Sequence, residues 1–237
     1  MKLKNLSAII LALSFLFSLS LPLLSEEEIT PQKSNEIIEK IRSLTIPMYK
    51  KYRGIQSRKI IQTKEFEFDR IVTSTTVEVN RKEFFYDDYP ETVVIKYEKN
   101  GNLMKPSDYK EKKYLPMFPV FDEKDTEYYS TSVTGYETIE GKKCYRIKVI
   151  PKENTIQHFK GNLYFTVQNL KLVMMEGTFG KLPPACKDFI IKTYFDHQND
   201  ITVERESSVN IQIVIPLLYD GELKSFTTVT ECKPILR

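Results

Sequence analysis

Tryptophan is missing from this sequence and histidine nearly so, with only His158 and His197 among 237 residues. Histidine is the side chain that most often supplies a general base, a nucleophile's partner or a metal ligand near neutral pH. Neither histidine stands in a metal-ligand spacing such as His-Glu-x-x-His, and there is no Gly-x-Ser-x-Gly elbow or phosphate-binding glycine loop. His158 in a polar loop and His197 beside Asp196 and Asn199 read as solvated turn residues. No catalytic residue and no metal ligand is assigned, no cofactor is expected, and the chain does not read as an enzyme. The absence of tryptophan also removes a residue often used to stack on sugars.

Cysteine is scarce and odd in number: Cys144, Cys186 and Cys232. At most one intramolecular disulfide can form, leaving one thiol over. Cys186 and Cys232 stand beside prolines at the edges of strand-like segments and make the expected pair. Closing that loop would contribute on the order of 4 kcal/mol in the chain-entropy model. Cys144 lies within a strand pattern after a Gly-Lys-Lys turn, which suits a small apolar filler better than an activated thiolate.

Only one long apolar run exists. Lys2 and Lys4 precede a stretch from Ala8 to Leu24, and after Ser25 the character changes to Glu26, Glu27 and Glu28. This is the layout of a secretory leader, residues 1–25, with cleavage near Ser25. An uncleaved anchor is the other reading, because about 20 apolar residues suffice to cross a bilayer. No cysteine stands near the expected new N-terminus, so the chain is not itself a lipoprotein. Losing Lys2 and Lys4 with the leader leaves 33 of the 35 basic residues against 32 acidic ones. A chain this close to neutral has no electrostatic claim on nucleic acid. Residues 26–237 fit one domain in length, exported to the periplasm or secreted.

What is abundant is alternation. Ile37, Ile41, Leu44, Met48 and Tyr52 mark one face of an amphipathic helix, with Ser34 as its start, Gly54 as its stop and Pro47 as a kink or division. From Lys59 onward the period becomes two, at Phe66 and Phe68, Val77 and Val79, Phe84 and Tyr86, and Val93, Ile95 and Tyr97. Further strands are expected over 129–139, 143–150, 163–168, 172–179, 189–195, 201–214 and 223–232. The fold class is α+β: one large antiparallel sheet of roughly ten strands and an N-terminal helix. In residues 143–150, Tyr145, Ile147 and Val149 face one way while Arg146 and Lys148 face the other. A sheet with one dry face either packs it with its own side chains and helix or curls and leaves a cavity for an apolar ligand.

Residues 104–127 interrupt the pattern with three prolines and an aromatic cluster at Tyr114, Met117, Phe118 and Phe121. Long irregular segments of this kind are commonly functional or mobile. Either the loop is a lid, or it tucks its aromatics under the sheet.

The stretch Gly135-Tyr136-Glu137-Thr138-Ile139-Glu140-Gly141-Lys142-Lys143-Cys144-Tyr145-Arg146-Ile147-Lys148-Val149-Ile150-Pro151-Lys152, followed by Gly161-Asn162-Leu163-Tyr164-Phe165-Thr166-Val167 and Leu172-Val173-Met174-Met175-Glu176, resembles outer-membrane lipoprotein-sorting-like proteins of the LolA/LolB superfamily. Related sequences often carry Trp-Val-Asp where this one has Phe165-Thr166-Val167. The resemblance implies an incomplete antiparallel barrel closed by helices. Its apolar concavity would receive acyl chains of lipids or lipoproteins, exchanged with inner- or outer-membrane handover proteins. The residues expected to face that cavity are Phe84, Tyr145, Ile147, Val149, Leu163, Phe165 and Met174, with the aromatic loop as lid. The alternative is a secreted envelope protein of structural or interaction role with a filled core and no ligand.

Overall fold

The structure, a computed structural model, describes residues 28–85, 89–110, 119–198, 201–215 and 219–237. The leader read at residues 1–25 and three expected lid residues, Tyr114, Met117 and Phe118, lie outside the described residues.

Helix α1 runs over Pro31–Lys51. It starts earlier than Ser34 because Thr30 caps it, accepting a hydrogen bond from the Lys33 N–H at 3.2 Å, with Pro31 in the first turn. Ser34 is instead buried, and its hydroxyl accepts from the Val133 N–H at 2.9 Å. The helix continues through exposed Pro47 at the expense of one backbone bond. Gly54 does not stop it, for the helix ends at Lys51 and Gly54 lies within the first strand.

Eleven strands follow: β1 (Tyr52–Glu67), β2 (Arg70–Phe84), β3 (Glu91–Lys99), β4 (Asn102–Met104), β5 (Tyr129–Ile139), β6 (Lys142–Pro151), β7 (Phe159–Thr166), β8 (Leu172–Phe179), β9 (Cys186–Gln198), β10 (Ile201–Ile215) and β11 (Tyr219–Leu236). They form one antiparallel sheet in the order β4-β3-β2-β1-β11-β10-β9-β8-β7-β6-β5. Neighbours in space are neighbours in sequence except at the β1–β11 seam, which pairs the first and last strands in mid-sheet. Strands β4 and β5 are the free edges, so the sheet is unclosed. At the usual twist of about 20–25° per pair, a sheet of this width accumulates a large rotation from one edge to the other.

One row of directly opposed residues crosses every strand: Val133, Ile147, Leu163, Met175, Thr193, Ser207, Thr227, Ile61, Val77, Tyr97 and Met104. Opposed residues share a face, so this row defines the inner face, on which α1 packs. Its two apolar ends flank three hydroxyls, Thr193, Ser207 and Thr227. The ends anchor two separate cores. Ile37, Ile38 and Ile41 of α1 pack with Val133, Tyr145, Ile147, Val149, Leu163 and Phe165 at the β5–β8 end. Val77, Val79 and Tyr97 pack with Ile61, Val94, Met104 and Tyr109 at the other.

Two glycines shape the first core. Gly161 and Gly177 oppose each other on β7 and β8, and the Phe159 ring lies over both. A Cβ at Gly177 would come within 2.4 Å of the Lys160 carbonyl oxygen and 2.7 Å of that ring, so the close approach needs glycine.

Candidate functional site

Five of the expected cavity residues lie together on the inner face: Tyr145, Ile147 and Val149 on β6, Leu163 and Phe165 on β7. They face α1 and are almost wholly buried, with Ile147 at 0% and Phe165 at 5% exposure. Phe121, the described member of the aromatic loop, is buried among them and meets Phe165 edge to face at 5.5 Å. Its backbone is left-handed, φ 67°, an uncommon conformation for a bulky residue. The loop is held there by Asp125, 1% exposed, whose carboxylate accepts from Arg42 of α1 at 3.0 and 3.2 Å. Helix, loop and β5–β7 are thus one packed unit.

The other two expected cavity residues are on the outer face. Leu172 opposes Phe165, but a bulge at Val173 reverses the alternation, so Met174 opposes Tyr164 and Tyr194 while Met175 opposes Leu163. Met174 belongs to a small outer core with Cys144, Tyr164 and Val173, beside which Arg205 pairs with Glu140. Phe84 also faces outward, opposite Gly54, with the Arg53 guanidinium 4.8 Å above its ring. Alternation along β2 gives the inner face to Val77, Val79, Arg81 and Glu83 instead.

Phe189 of β9, Val209 and Ile211 of β10 and Leu223 of β11 form an apolar strip on the inner face beyond the helix. All four are half-buried and belong to none of the buried clusters of the described residues, while neighbouring Ile191 touches the core under α1. Phe179 extends the strip, its ring tilted against that of Phe189 at 4.7 Å. No feature of residues 189–223 distinguished this strip in sequence, because its alternation resembles that of any half-buried strand.

Toward the opposite ends of β1, β2 and β10 the inner face is polar. Lys59, 4% exposed, donates to Glu83 and Glu204, both at 2.6 Å, and Arg81 lies 3.2 Å from Glu83. Burial alone would lower the Lys59 pKa, but the two carboxylates carry it above the ordinary lysine range. Burial likewise opposes ionisation of Glu83, and Lys59 with Arg81 nonetheless holds it below the usual carboxylate range. The groups neutralise one another.

The outer face carries an open groove of about 480 Å³ across β8–β11 and β1, lined by Lys64, Lys192 and Lys224 around Ile190 and Phe226. It is separate from the residues singled out by sequence.

The histidines are structural rather than solvated. His158 is 4% exposed, stands 2.6 Å from the Thr155 hydroxyl and packs against the rings of Tyr128 and Tyr129. His197 is half-buried on β9, its Nε2 2.8 Å from the Leu172 carbonyl oxygen, and burial holds its pKa below the ordinary value. The expected Cys186–Cys232 disulfide is not formed. Register puts Cys186 opposite Ile213 and Cys232 opposite Ser57, at opposite ends of the β9–β11 ladder. All three thiols are unpaired, and burial raises the pKa of each, that of Cys232 to about 11.

No family model and no curated protein matches this chain. Solved structures align with most of it. An outer membrane lipoprotein-sorting protein domain from Vibrio parahaemolyticus is 10% identical with a TM-score of 0.48, covering 86% of this chain and 93% of its own. A DUF1329 family protein from Desulfovibrio piger is 11% identical at 0.45, covering 83% and 92%. A LolA superfamily protein from Nitrosomonas europaea is 12% identical at 0.37, covering 84% and 92%.

Proposed function

We propose that this protein is a periplasmic carrier that shields the acyl chains of a lipid or an acylated lipoprotein against the inner face of its sheet, exchanging them with inner- or outer-membrane handover proteins. The observation that carries the reading is the apolar strip of Phe189, Val209, Ile211 and Leu223, half-buried yet outside every described core. Each buried methylene is worth about 0.8 kcal/mol, so one long acyl chain gains on the order of 10 kcal/mol before ordering costs. Contacts of that size need no catalytic group and no cofactor. The leader read at residues 1–25 supports a periplasmic location, with secretion as the other outcome of export.

In this reading Tyr145, Ile147, Val149, Leu163 and Phe165 are the packed wall of the cavity, and the strip is its ligand-facing part. Phe121, packed against Phe165, is the described part of the lid. The competing reading, an envelope structural or interaction protein with a filled core, draws on the tight burial of those same five residues beneath α1. Uptake of a fluorescent acyl lipid separates the two. Charges introduced by Ile211→Asp with Leu223→Asp should reduce uptake at least tenfold while circular dichroism stays native. Uptake equal to that of the unaltered chain would contradict the carrier reading.

A further inference from the structure

On the inner face, register aligns Cys232, Ser57, Arg81 and Thr92 in one row across β11, β1, β2 and β3. The Ser57 side chain is buried, 4% exposed, and its hydroxyl has no hydrogen-bond partner among the described residues. The Thr92 hydroxyl oxygen is equally buried and equally without a partner. Buried hydroxyls are rarely left so, and each such group calls for an unseen partner. The adjacent charges balance: Lys59 lies between Glu83 and Glu204, and Arg81 is 3.2 Å from Glu83, two cations against two carboxylates, with the buried Arg81 Nε in ion-pair contact but outside hydrogen-bond geometry. The place offers unfilled hydrogen bonds without offering net charge.

The same face changes character along its strands. On β1 the inward residues run Ser57, Lys59, Ile61, Thr63, and beside Thr63 come Ser225 of β11 and Val209 of β10. Six residues at about 3.3 Å each put roughly 20 Å between Ser57 and Thr63. An acyl chain fills about half of a bilayer core, roughly 15 Å. A head group seated at the Ser57 row with such a chain behind it therefore reaches about as far as Thr63 and Val209, the near margin of the strip.

Resting on the carrier reading, we infer that the inner face binds an amphiphile end-on, with an uncharged hydroxyl-bearing head group at Ser57 and Thr92 and its chain directed to Val209, Ile211 and Leu223. Hydroxyls without partners can donate to and accept from such a head, whereas a net anion would meet Glu83 and Glu204 with no free cation in the cluster to balance it.

The test is displacement of a polarity-sensitive apolar dye from the full chain by 1-monooleoylglycerol, methyl oleate and oleate. Monooleoylglycerol should displace dye at about tenfold lower concentration than methyl oleate, the effect of one or two net hydrogen bonds. In the Ser57→Ala, Thr92→Val double variant the two should come within twofold, with methyl oleate unchanged. The variant removes only hydroxyls without partners, so its melting temperature should not fall. Equal displacement in the unaltered chain, a preference for oleate, or a preference that survives the double substitution overturns the inference and leaves the carrier reading standing. If none of the three displaces dye, the carrier reading fails and this inference with it.

Discussion

Lys59 occupies a position that an apolar residue would fill in an ordinary half-buried strand. Its ammonium is stabilised by Glu83 and Glu204, so Lys59→Met leaves Glu204 without its cation and Glu83 with Arg81 alone on a largely dry face. Breaking a buried pair by removing one partner costs about 3–5 kcal/mol, and the low end applies here because Glu83 retains contact with water. The sign follows from the shifts. The lowered Glu83 contributes stability above the ordinary carboxylate pKa and loses it as pH falls through its depressed value. The raised Lys59 contributes below the ordinary lysine pKa and loses it as pH rises through its elevated value. Urea denaturation should therefore show the gap between Lys59→Met and the unaltered chain widest between about pH 5 and 10, narrowing on either side. A gap independent of pH would contradict the ion cluster. At this scale the sequence was readable wherever alternation held: Tyr145, Ile147 and Val149 face inward as the pattern required. It failed at Met174, because a bulge changes parity without changing composition. It failed at Phe84 too, because the inward charges Arg81 and Glu83 look like a solvated strand until their partners on β1 and β10 are known.

Helix α1 was legible as an element, from the spacing of Ile37, Ile41 and Met48, though not in its ends. Thr30 and Ser34 are equally good caps in isolation, and Ser34 is diverted to the Val133 N–H, a partner 99 residues away. The strands were legible for the same reason of periodicity, and 129–139 and 172–179 have the observed bounds. What holds helix to sheet was not legible. Arg42 on α1 and Asp125 after the loop join elements 83 residues apart, and no local pattern announces such a pair. Arg42→Gln leaves a buried carboxylate short of its charge partner and should cost about 3 kcal/mol. Hydrogen exchange should then quicken in α1 and around Phe121 while the β9–β11 ladder keeps its protection. Uniform acceleration across the sheet would show instead that the pair supports the whole fold rather than this one joint.

Across the whole molecule, the inner face is divided into a core beneath α1, a second core at β1–β4, an apolar strip on β9–β11 and a neutral polar end at Ser57, Lys59 and Thr92. This division depends on the β1–β11 seam, which joins residues 52–67 to 221–236 and sets the strip beside the polar end. Strand count and class were readable from periodicity. The seam was not, since a pairing between the two ends of a domain leaves no trace in local sequence. A carrier of this design is a vessel only partly filled by its own side chains. Native mass spectrometry of the protein purified from its own cell envelope tests this directly. The expected result is a population heavier than the bare chain by the mass of an acyl lipid, released on denaturation. A single species at the mass of the polypeptide alone, unchanged after incubation with envelope lipids, would contradict it.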